Sequence, residues 1–336
     1  MSSVSRLSFW MVSVVSVLCI AFSIFVWVRP ADSAPTKLSI AVTRAPDSAL
    51  VYIAQALGYF RGEGLEVTLQ PEEFGRVALE TMLQGKADLA TVAETPIMLA
   101  VMHGKPLMVV AGIFSSNTNI GIVARKDRNI TSPEDLAGKR VGVAAGTNGD
   151  YFCYAFLITQ GVPMNAVEII SLKPSEMASA LESGQVDAVS VWHPFLYLID
   201  KTLGNNGISF YGGSVYTYTF NIAAAERLVA TDPLAVKAFL RGLKKAEQFA
   251  NQNPDRAIDI VASATQLDTD LLTELWRSFS FRLSLEQALL IGMENQAKWA
   301  IKENLVERKT PLPNFLESIY FKGLQTISPA SESITH

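Results

Sequence analysis

An alternation of strand-like and helix-like segments, which occurs twice along the chain, limits its possible folds more than any other feature. In the first half, residues 37–42, 65–69 and 107–113 have the apolar spacing of strands, and helix-like segments separate them. The same plan returns between residues 141 and 203. Strands that alternate with helices are typical of α/β proteins with largely parallel sheets. The sequence therefore predicts an α/β fold.

A short motif accompanies this alternation in both halves. The pattern Gly-x-x-Asp begins at Gly85 and again at Gly184, and each copy precedes an apolar strand and then a proline. A repeated plan indicates two similar lobes, each of which offers strand ends and helix N-termini to a shared cleft. After residue 233 the patterns are mainly helical, and we expect this tail to pack over one lobe.

The N-terminal segment is much more apolar than the rest of the chain. The 22 residues at positions 7–28 carry no charge. A helix of that length would span roughly 33 Å, which is enough to cross a bilayer. Arg6 precedes this run, and Arg29 and the small residues at 31–34 follow it. Residues 1–33 are therefore interpreted as either a cleaved signal peptide or an uncleaved membrane anchor.

The composition excludes several classes of function. The net charge is −4, from 28 basic and 32 acidic residues, so we expect no nucleic-acid partner. The three histidines lack metal-ligand spacing, and no nucleotide-binding Gly-Lys-Ser/Thr loop occurs. There is no Gly-x-Ser-x-Gly motif, and Cys153 lies in an apolar helical segment typical of a protein core. We therefore expect no metal, no cofactor and no catalytic activity.

The candidate ligand site lies in loops that follow strands. In open α/β sheets, ligands bind beyond the carboxyl ends of the strands, where helix N-termini attract anions. Four loops fit this position, and one further tyrosine lies where the chain crosses back between the halves. The candidate binding residues are Arg44, Ala45, Pro46, Glu94, Thr95, Gly146, Thr147, Asn148, Trp192, His193 and Tyr216.

Each loop has a binding interpretation and a structural alternative. Arg44 can pair with an anionic group or remain a solvated surface residue. Thr95 can contribute to a ligand site or only cap a helix, whereas the glycine-rich turn around Thr147 suits a backbone anion cradle. Glu94 would repel an anion and could hold an amino group instead. Trp192 either lines an apolar pocket wall or packs in the core.

Two longer segments carry a family resemblance. Residues 132–143 place a helix cap, a short helix and a glycine stop before an apolar strand, and they resemble the start of the second lobe of type II periplasmic binding proteins. Residues 54–67 are similar to the helix-to-strand segment of the nitrate/sulfonate/taurine subgroup, the SsuA/THI5-like (NMT1) family. The two Gly-x-x-Asp motifs and the prolines after them fit the same subgroup.

The resemblance implies a two-lobed type II fold with a ligand cleft between the lobes and a helical C-terminal segment. Lobe 1 would comprise residues 37–123 and 220–331, and lobe 2 residues 124–219, with crossings near 123–127 and 214–220. The implied function is that of a periplasmic solute-binding subunit of an ABC importer. Its ligand would be a small organic anion or precursor, such as an alkanesulfonate, taurine, nitrate or a pyrimidine-type compound.

The resemblance also implies a monomer whose protein partners are the permease subunits of the transporter. If residues 1–33 stay uncleaved, the membrane is a further partner, and a membrane-anchored ligand-sensing protein on the same fold is the alternative function. One position departs from the family pattern. His193 stands between Trp192 and Pro194, where the family often has an acidic residue.

Overall fold

The computed structural model describes residues 34–213, 215–328 and 333–334, which include two five-stranded sheets with helices around them. The predicted α/β fold is confirmed, whereas the predicted signal peptide or anchor at 1–33 lies outside the described residues. The strands are β1 (Thr36–Thr43), β2 (Leu65–Glu72), β3 (Leu89–Ala93), β4 (Leu107–Ser116), β5 (Ile120–Arg125), β6 (Arg140–Val143), β7 (Glu168–Ser171), β8 (Ala188–Trp192), β9 (Gly207–Tyr211) and β10 (Tyr218–Ala225).

Helices connect the strands and form most of the C-terminal tail. Within the described residues they begin after strand ends in both halves, as the alternation in the sequence predicts. They are α1 (Ala49–Ala56), α2 (Tyr59–Gly62), α3 (Gly75–Leu83), α4 (Glu94–Met102), α5 (Asn148–Thr159), α6 (Met177–Ser183), α7 (Phe195–Leu203), α8 (Glu226–Thr231), α9 (Pro233–Gln252), α10 (Pro254–Thr265), α11 (Thr269–Trp276), α12 (Gln287–Lys302) and α13 (Phe321–Gln325).

The two sheets share one strand plan. The first sheet has the order β2-β1-β3-β10-β4, and the second has the order β7-β6-β8-β5-β9. β1 pairs in parallel with β3, and β6 pairs in parallel with β7 and β8. β10 and β5 are inserted antiparallel at the same place in each sheet. The third strand of each order, β3 or β8, is buried along its whole length, as expected for a central strand.

The first crossing between the sheets differs from its predicted position. The sequence placed it near residues 123–127, but Ile120–Arg125 forms β5, which pairs with β8 and β9 in the second sheet. The chain therefore leaves the first sheet at 117–119. A local pattern identifies a strand, whereas its long-range pairing decides which sheet it joins. The second crossing, between β9 and β10, spans residues 212–217.

The Gly-x-x-Asp motif has the same structural role in both halves. The glycine that begins each copy has a φ of 75°, which is the left-handed backbone conformation typical of a helix end. Asp88 then accepts a hydrogen bond from the backbone N–H of Ser39 at 3.0 Å, and Asp187 accepts one from the N–H of Arg140 at 3.0 Å. Each carboxylate thus ties the turn before a central strand to the neighbouring parallel strand.

The helical tail contacts elements of both sheets rather than one lobe alone. α9 packs on α1 and α2, and its Phe239 ring stacks on Phe60 at 4.7 Å between centroids. α12 packs on α4, but its Trp299 also makes an edge contact with Tyr151 of α5 at 5.4 Å. We expected the tail to pack over one lobe, but α12 contacts both α4 of the first half and α5 of the second half.

We expect Asp187→Ala to lower the free energy of unfolding by about 1–3 kcal/mol, because it removes the acceptor of both the partly buried N–H and the guanidinium of Arg140. Burial alone would raise the pKa of Asp187, but its bonds to Arg140 hold that pKa below the ordinary value. The stabilisation should therefore be present at pH 7 and decline as the carboxylate is protonated in acid. Urea denaturation at pH 7 measures the loss. Asp187→Asn keeps an acceptor oxygen and should lose less; an equal loss in both variants would contradict the assigned bond.

Candidate functional site

Loops from both sheets line one cleft. They follow β1, β2 and β3 in the first sheet and β6 and β8 in the second, and the start of β10 completes the wall. The cleft contains about 490 Å³ of space between protein atoms, its open mouth included. The lining residues are Thr43, Arg44, Ala45, Asp47, Glu73, Phe74, Gly75, Arg76, Ala93, Pro96, Thr147, Asn148, Trp192, Pro194, Phe195, Tyr218 and Phe220.

The structure brings part of the predicted site together. Among the predicted residues, those in the lining are Arg44, Ala45, Thr147, Asn148 and Trp192. Those outside the lining are Pro46, Glu94, Thr95, Gly146, His193 and Tyr216. All of them stay predictions as ligand contacts, and their surroundings indicate what each can do.

A buried hydrogen-bond network fixes the loop after β1. The Asp47 carboxylate accepts bonds from the Thr43 hydroxyl at 3.2 Å and from the Tyr218 hydroxyl at 2.9 Å. Burial raises the pKa of Asp47 to about 7, although these two bonds oppose the shift. Because Tyr218 belongs to β10, the network holds that strand against the loop. Pro46 is buried in the same short 3₁₀ turn.

Internal hydrogen bonds occupy the carboxylate of Glu94, for which the sequence suggested an amino-group ligand. It accepts bonds from the hydroxyl of Thr219 and the side-chain amide of Gln296, each at 2.9 Å. Glu94 is 1% exposed, and burial raises its pKa to about 7. The partners lie 125 and 202 residues further along the chain, so local sequence could not reveal them. The neighbouring Thr95 is also buried, and its hydroxyl has no partner within the described residues.

The start of α5 supplies hydrogen-bond donors to the cleft. Asn148 is 4% exposed, and its Nδ2 has no partner in the described part of the chain. The first-turn N–H groups of a helix also lack intrahelical acceptors and carry partial positive charge. Thr147 differs from the expectation, because its hydroxyl donates to the carbonyl of Ala144 at 2.7 Å. The N–H of Gly146 is likewise occupied, since it donates to Asp150 at 2.9 Å.

Aromatic side chains form the apolar walls of the cleft, and arginines lie at its edge. Phe74 from the first sheet and Trp192 from the second have ring centroids 6.3 Å apart. Phe195 meets Trp192 edge-on at 6.4 Å. The guanidinium carbon of Arg76 lies 5.8 Å from the centroid of Phe74, and both Arg76 and Arg44 are exposed. The cleft thus combines apolar walls with cationic groups at the mouth.

Sequence reasoning missed the loop at residues 73–76. This loop follows β2 and begins α3, so the rule that selected the other loops applies to it as well. Gly75 permits its close approach to the sheet, because a Cβ there would lie 3.1 Å from the Cα of Val92. The available signal was the change from period-two apolar spacing in 65–69 to a helical pattern after residue 76.

His193 lines a separate groove, although Trp192 and Pro194 on either side of it line the cleft. It is 5% exposed, and burial lowers its pKa to about 4, so the ring is neutral at pH 7. Its backbone N–H donates to the carbonyl of Asn119 at 2.9 Å, which joins it to the first crossing segment. The departure from the family pattern therefore adds no charge to the cleft.

Tyr216 belongs to an aromatic cluster beside the cleft. Its ring meets Tyr151 at 5.5 Å and an interplanar angle of 77°, and Tyr151 in turn contacts Trp299. The hydroxyl of Tyr216 is buried, with no hydrogen-bond partner among the residues that the structure describes. The cluster joins the second crossing segment to α5 and α12.

Residues 34–213, 215–328 and 333–334 contain neither a cluster of metal ligands nor a helix that could span a membrane. No group of three or more His, Cys, Asp or Glu side chains there is arranged to hold a metal ion. None of the helices in those ranges has the length and apolar character required for a bilayer crossing. Cys153 is buried in α5, in agreement with its interpretation as a core residue.

We expect Asp47→Asn to flatten the pH dependence of stability between about pH 4 and pH 7. The folded chain holds a proton on Asp47 up to about pH 7, whereas an unfolded aspartate loses it near pH 3.9. Stability therefore falls as pH rises through this interval, and the variant lacks that contribution. Denaturant unfolding at pH 5 and pH 7.5 measures the slope, and Glu94→Gln should have a similar effect. A wild-type slope in both variants would contradict the burial of these carboxyl groups.

Comparison with known proteins identifies the family of this chain. The family described as NMT1/THI5 like matches residues 45–257. The chain is 24% identical over 278 residues to a putative aliphatic sulfonates-binding protein of Bacillus subtilis, covering 80% of this chain and 83% of that protein. It is 26% identical over 205 residues to the taurine-binding periplasmic protein of Escherichia coli, covering 60% of this chain and 63% of the relative.

A solved structure shows the same fold. The periplasmic aliphatic sulphonate binding protein SsuA of Escherichia coli superimposes with a TM-score of 0.72 at 18% sequence identity. The superposition covers 87% of this chain and 99% of SsuA. At that identity the likeness concerns the fold, and it confirms the predicted two-lobed architecture of the periplasmic binding proteins. The chain belongs to the NMT1/THI5-like family.

Proposed function

We propose that this chain is the periplasmic solute-binding subunit of an ABC importer and that it holds a small organic anion in its cleft without chemical turnover. The family, the cleft lined from both sheets and the similarity to a sulfonate-binding and a taurine-binding relative support this role. Its protein partners would be the permease subunits, and the binding protein itself would act as a monomer. Residues 1–33 would bring it to the periplasm as a signal peptide or an anchor.

The side-chain amide of Asn148 is the observation that carries the proposal. It is a buried donor on the cleft wall whose Nδ2 has no acceptor within the described residues. Leaving such a donor unsatisfied costs about 1–3 kcal/mol. An anionic oxygen of the ligand would remove that cost and would also lie near the partial positive charge at the start of α5. A sulfonate provides three such oxygens on one compact group.

The charges around the cleft also favour an anion. Arg44 and Arg76 are exposed beside the lining, and guanidinium groups suit oxyanions because their N–H donors form a planar fork. Glu73 also lines the cleft and is exposed, but the two arginines outnumber it, and the nearby buried acids offer little competition. Asp47 accepts bonds from within its own loop and β10, and Glu94 lies outside the lining.

The spacing of the aromatic walls limits the body of the ligand. A flat ring stacked between two others needs about 7 Å from one outer ring to the other, because each carbon contact takes about 3.5 Å. Phe74 and Trp192 are 6.3 Å apart and tilted by 53°. This conformation therefore leaves no room for a pyrimidine ring, or for any other group, stacked between these two side chains. The ligand proposed here is a short aliphatic anion, such as an alkanesulfonate or taurine, that lies beside the rings rather than between them.

Calorimetric titration of the purified chain with ethanesulfonate, taurine, nitrate and a pyrimidine tests the proposal. We expect ethanesulfonate to bind and Asn148→Ala to weaken its binding about 10- to 100-fold, because a hydrogen bond to a charged group contributes about 1.5–3 kcal/mol. Asn165→Ala removes an exposed asparagine outside the cleft and serves as the matched control. No binding of any sulfonate, or equal affinity in both variants, would contradict the proposed function.

A further inference from the structure

A hydrogen bond joins loops of the two sheets across the cleft. The hydroxyl of Ser175 donates to Oε1 of Glu73 at 2.8 Å. Glu73 lies in the loop after β2 and lines the cleft, whereas Ser175 lies after β7 and is outside the lining. The bond therefore connects one side of the cleft to the other without requiring a ligand.

The two loops occupy equivalent places in the repeated architecture. β2 is the outer strand next to β1, and β7 is the outer strand next to β6. Since the two sheets share one strand order, the loops after these strands correspond to each other. Their meeting point lies at the edge of the cleft that is furthest, in strand order, from the inserted strands β10 and β5.

Each loop is held by hydrogen bonds within its own half of the chain. Beside Glu73, the carbonyl of Glu72 accepts a bond from the N–H of Arg44 at 3.2 Å, and its carboxylate accepts one from the hydroxyl of Thr81 at 2.7 Å. Ser175 lies in the 3₁₀ turn Pro174–Glu176, which the carboxylate of Glu176 closes by accepting from the N–H of Lys173 at 3.0 Å. Separation of the sheets would therefore break the cross-cleft bond rather than drag either loop along.

We propose that Glu73 and Ser175 hold the cleft closed and thereby set how long a ligand remains bound. The proposal rests on the proposed function for the presence of a ligand, but not for the closure itself. A bond that exists only in the closed form shifts the closed–open equilibrium by its own free energy. Ligand enters and leaves through the open form, so loss of the bond should speed release and should also speed association, because the ligand-free chain is open for more of the time.

Ser175→Ala is the decisive variant, because Ser175 does not line the cleft and its loss removes no ligand contact. We expect the dissociation rate of ethanesulfonate, followed by stopped-flow tryptophan fluorescence of the full chain, to rise about three- to tenfold. The association rate should rise as well, in proportion to the open fraction of the ligand-free chain. Ser175→Thr keeps a hydroxyl and should restore the wild-type rate. Ser179→Ala, an exposed serine that bonds only within its own segment to the carbonyl of Glu176, is the matched control.

A double-mutant cycle separates the effect of the Ser175–Glu73 hydrogen bond on ligand release from any other effect of replacing Glu73. If the two residues act through their mutual bond, Glu73→Ala and Ser175→Ala together should release ligand no faster than Glu73→Ala alone. An unchanged dissociation rate in Ser175→Ala, or fully additive effects in the double variant, would overturn the proposal.

Closure can also be measured with no ligand present. Small-angle X-ray scattering should give a larger radius of gyration for Ser175→Ala than for the wild type and the Ser179→Ala control. Equal radii would overturn the proposal, even if no ethanesulfonate binding is found. Failure of ethanesulfonate to bind the wild type, with an increased radius in Ser175→Ala, would instead contradict the proposed ligand and support the closure role.

Discussion

Parallel pairing within each sheet is the constraint on which the cleft depends. Because β1 and β3 run in the same direction, the loops after them emerge at one edge, and the same holds for β6 and β8. Two sheets with the same order then place four strand-to-helix transitions around a common space. The carboxylates of Asp88 and Asp187 secure this arrangement from the opposite ends of the strands by binding backbone N–H groups. Backbone pairing thus sets the position of the candidate cleft, and the lining side chains then determine its chemistry.

Burial explains why the acidic groups near the cleft and the hydrogen-bond donors in its wall have different environments. Burial makes ionised carboxylates costly, so Asp47 and Glu94 accept several internal hydrogen bonds and have raised pKa values. Two donor groups at the cleft differ from these acids, since Nδ2 of Asn148 has no partner among the described residues and Arg44 is exposed. A cleft that combines buried acids bonded within the protein with the amide of Asn148 and exposed arginines is suited to an acceptor-rich ligand. The overall charge of −4 has no bearing on this local preference.

Local sequence was sufficient for the fold class, the repeated plan and several lining residues. Asn148 begins the helix after β6, and Trp192 is the last residue of β8, so the rule about carboxyl ends found them. The same rule would have found the loop at 73–76 had it been applied to every strand-to-helix transition. Other outcomes depend on distant partners that a single sequence does not specify. One example is the hydrogen bond that Gln296 donates to the carboxylate of Glu94. Another is the pairing of β5 with β8, which places β5 in the second sheet.

A crystal structure of the chain with bound ethanesulfonate would test the central claim most directly. We predict that the sulfonate lies at the start of α5, with an oxygen within about 3.2 Å of Nδ2 of Asn148, and that its ethyl group lies against Trp192. Electron density for the ligand in the groove beside His193, or in the cleft with Nδ2 of Asn148 still unpartnered, would contradict the account.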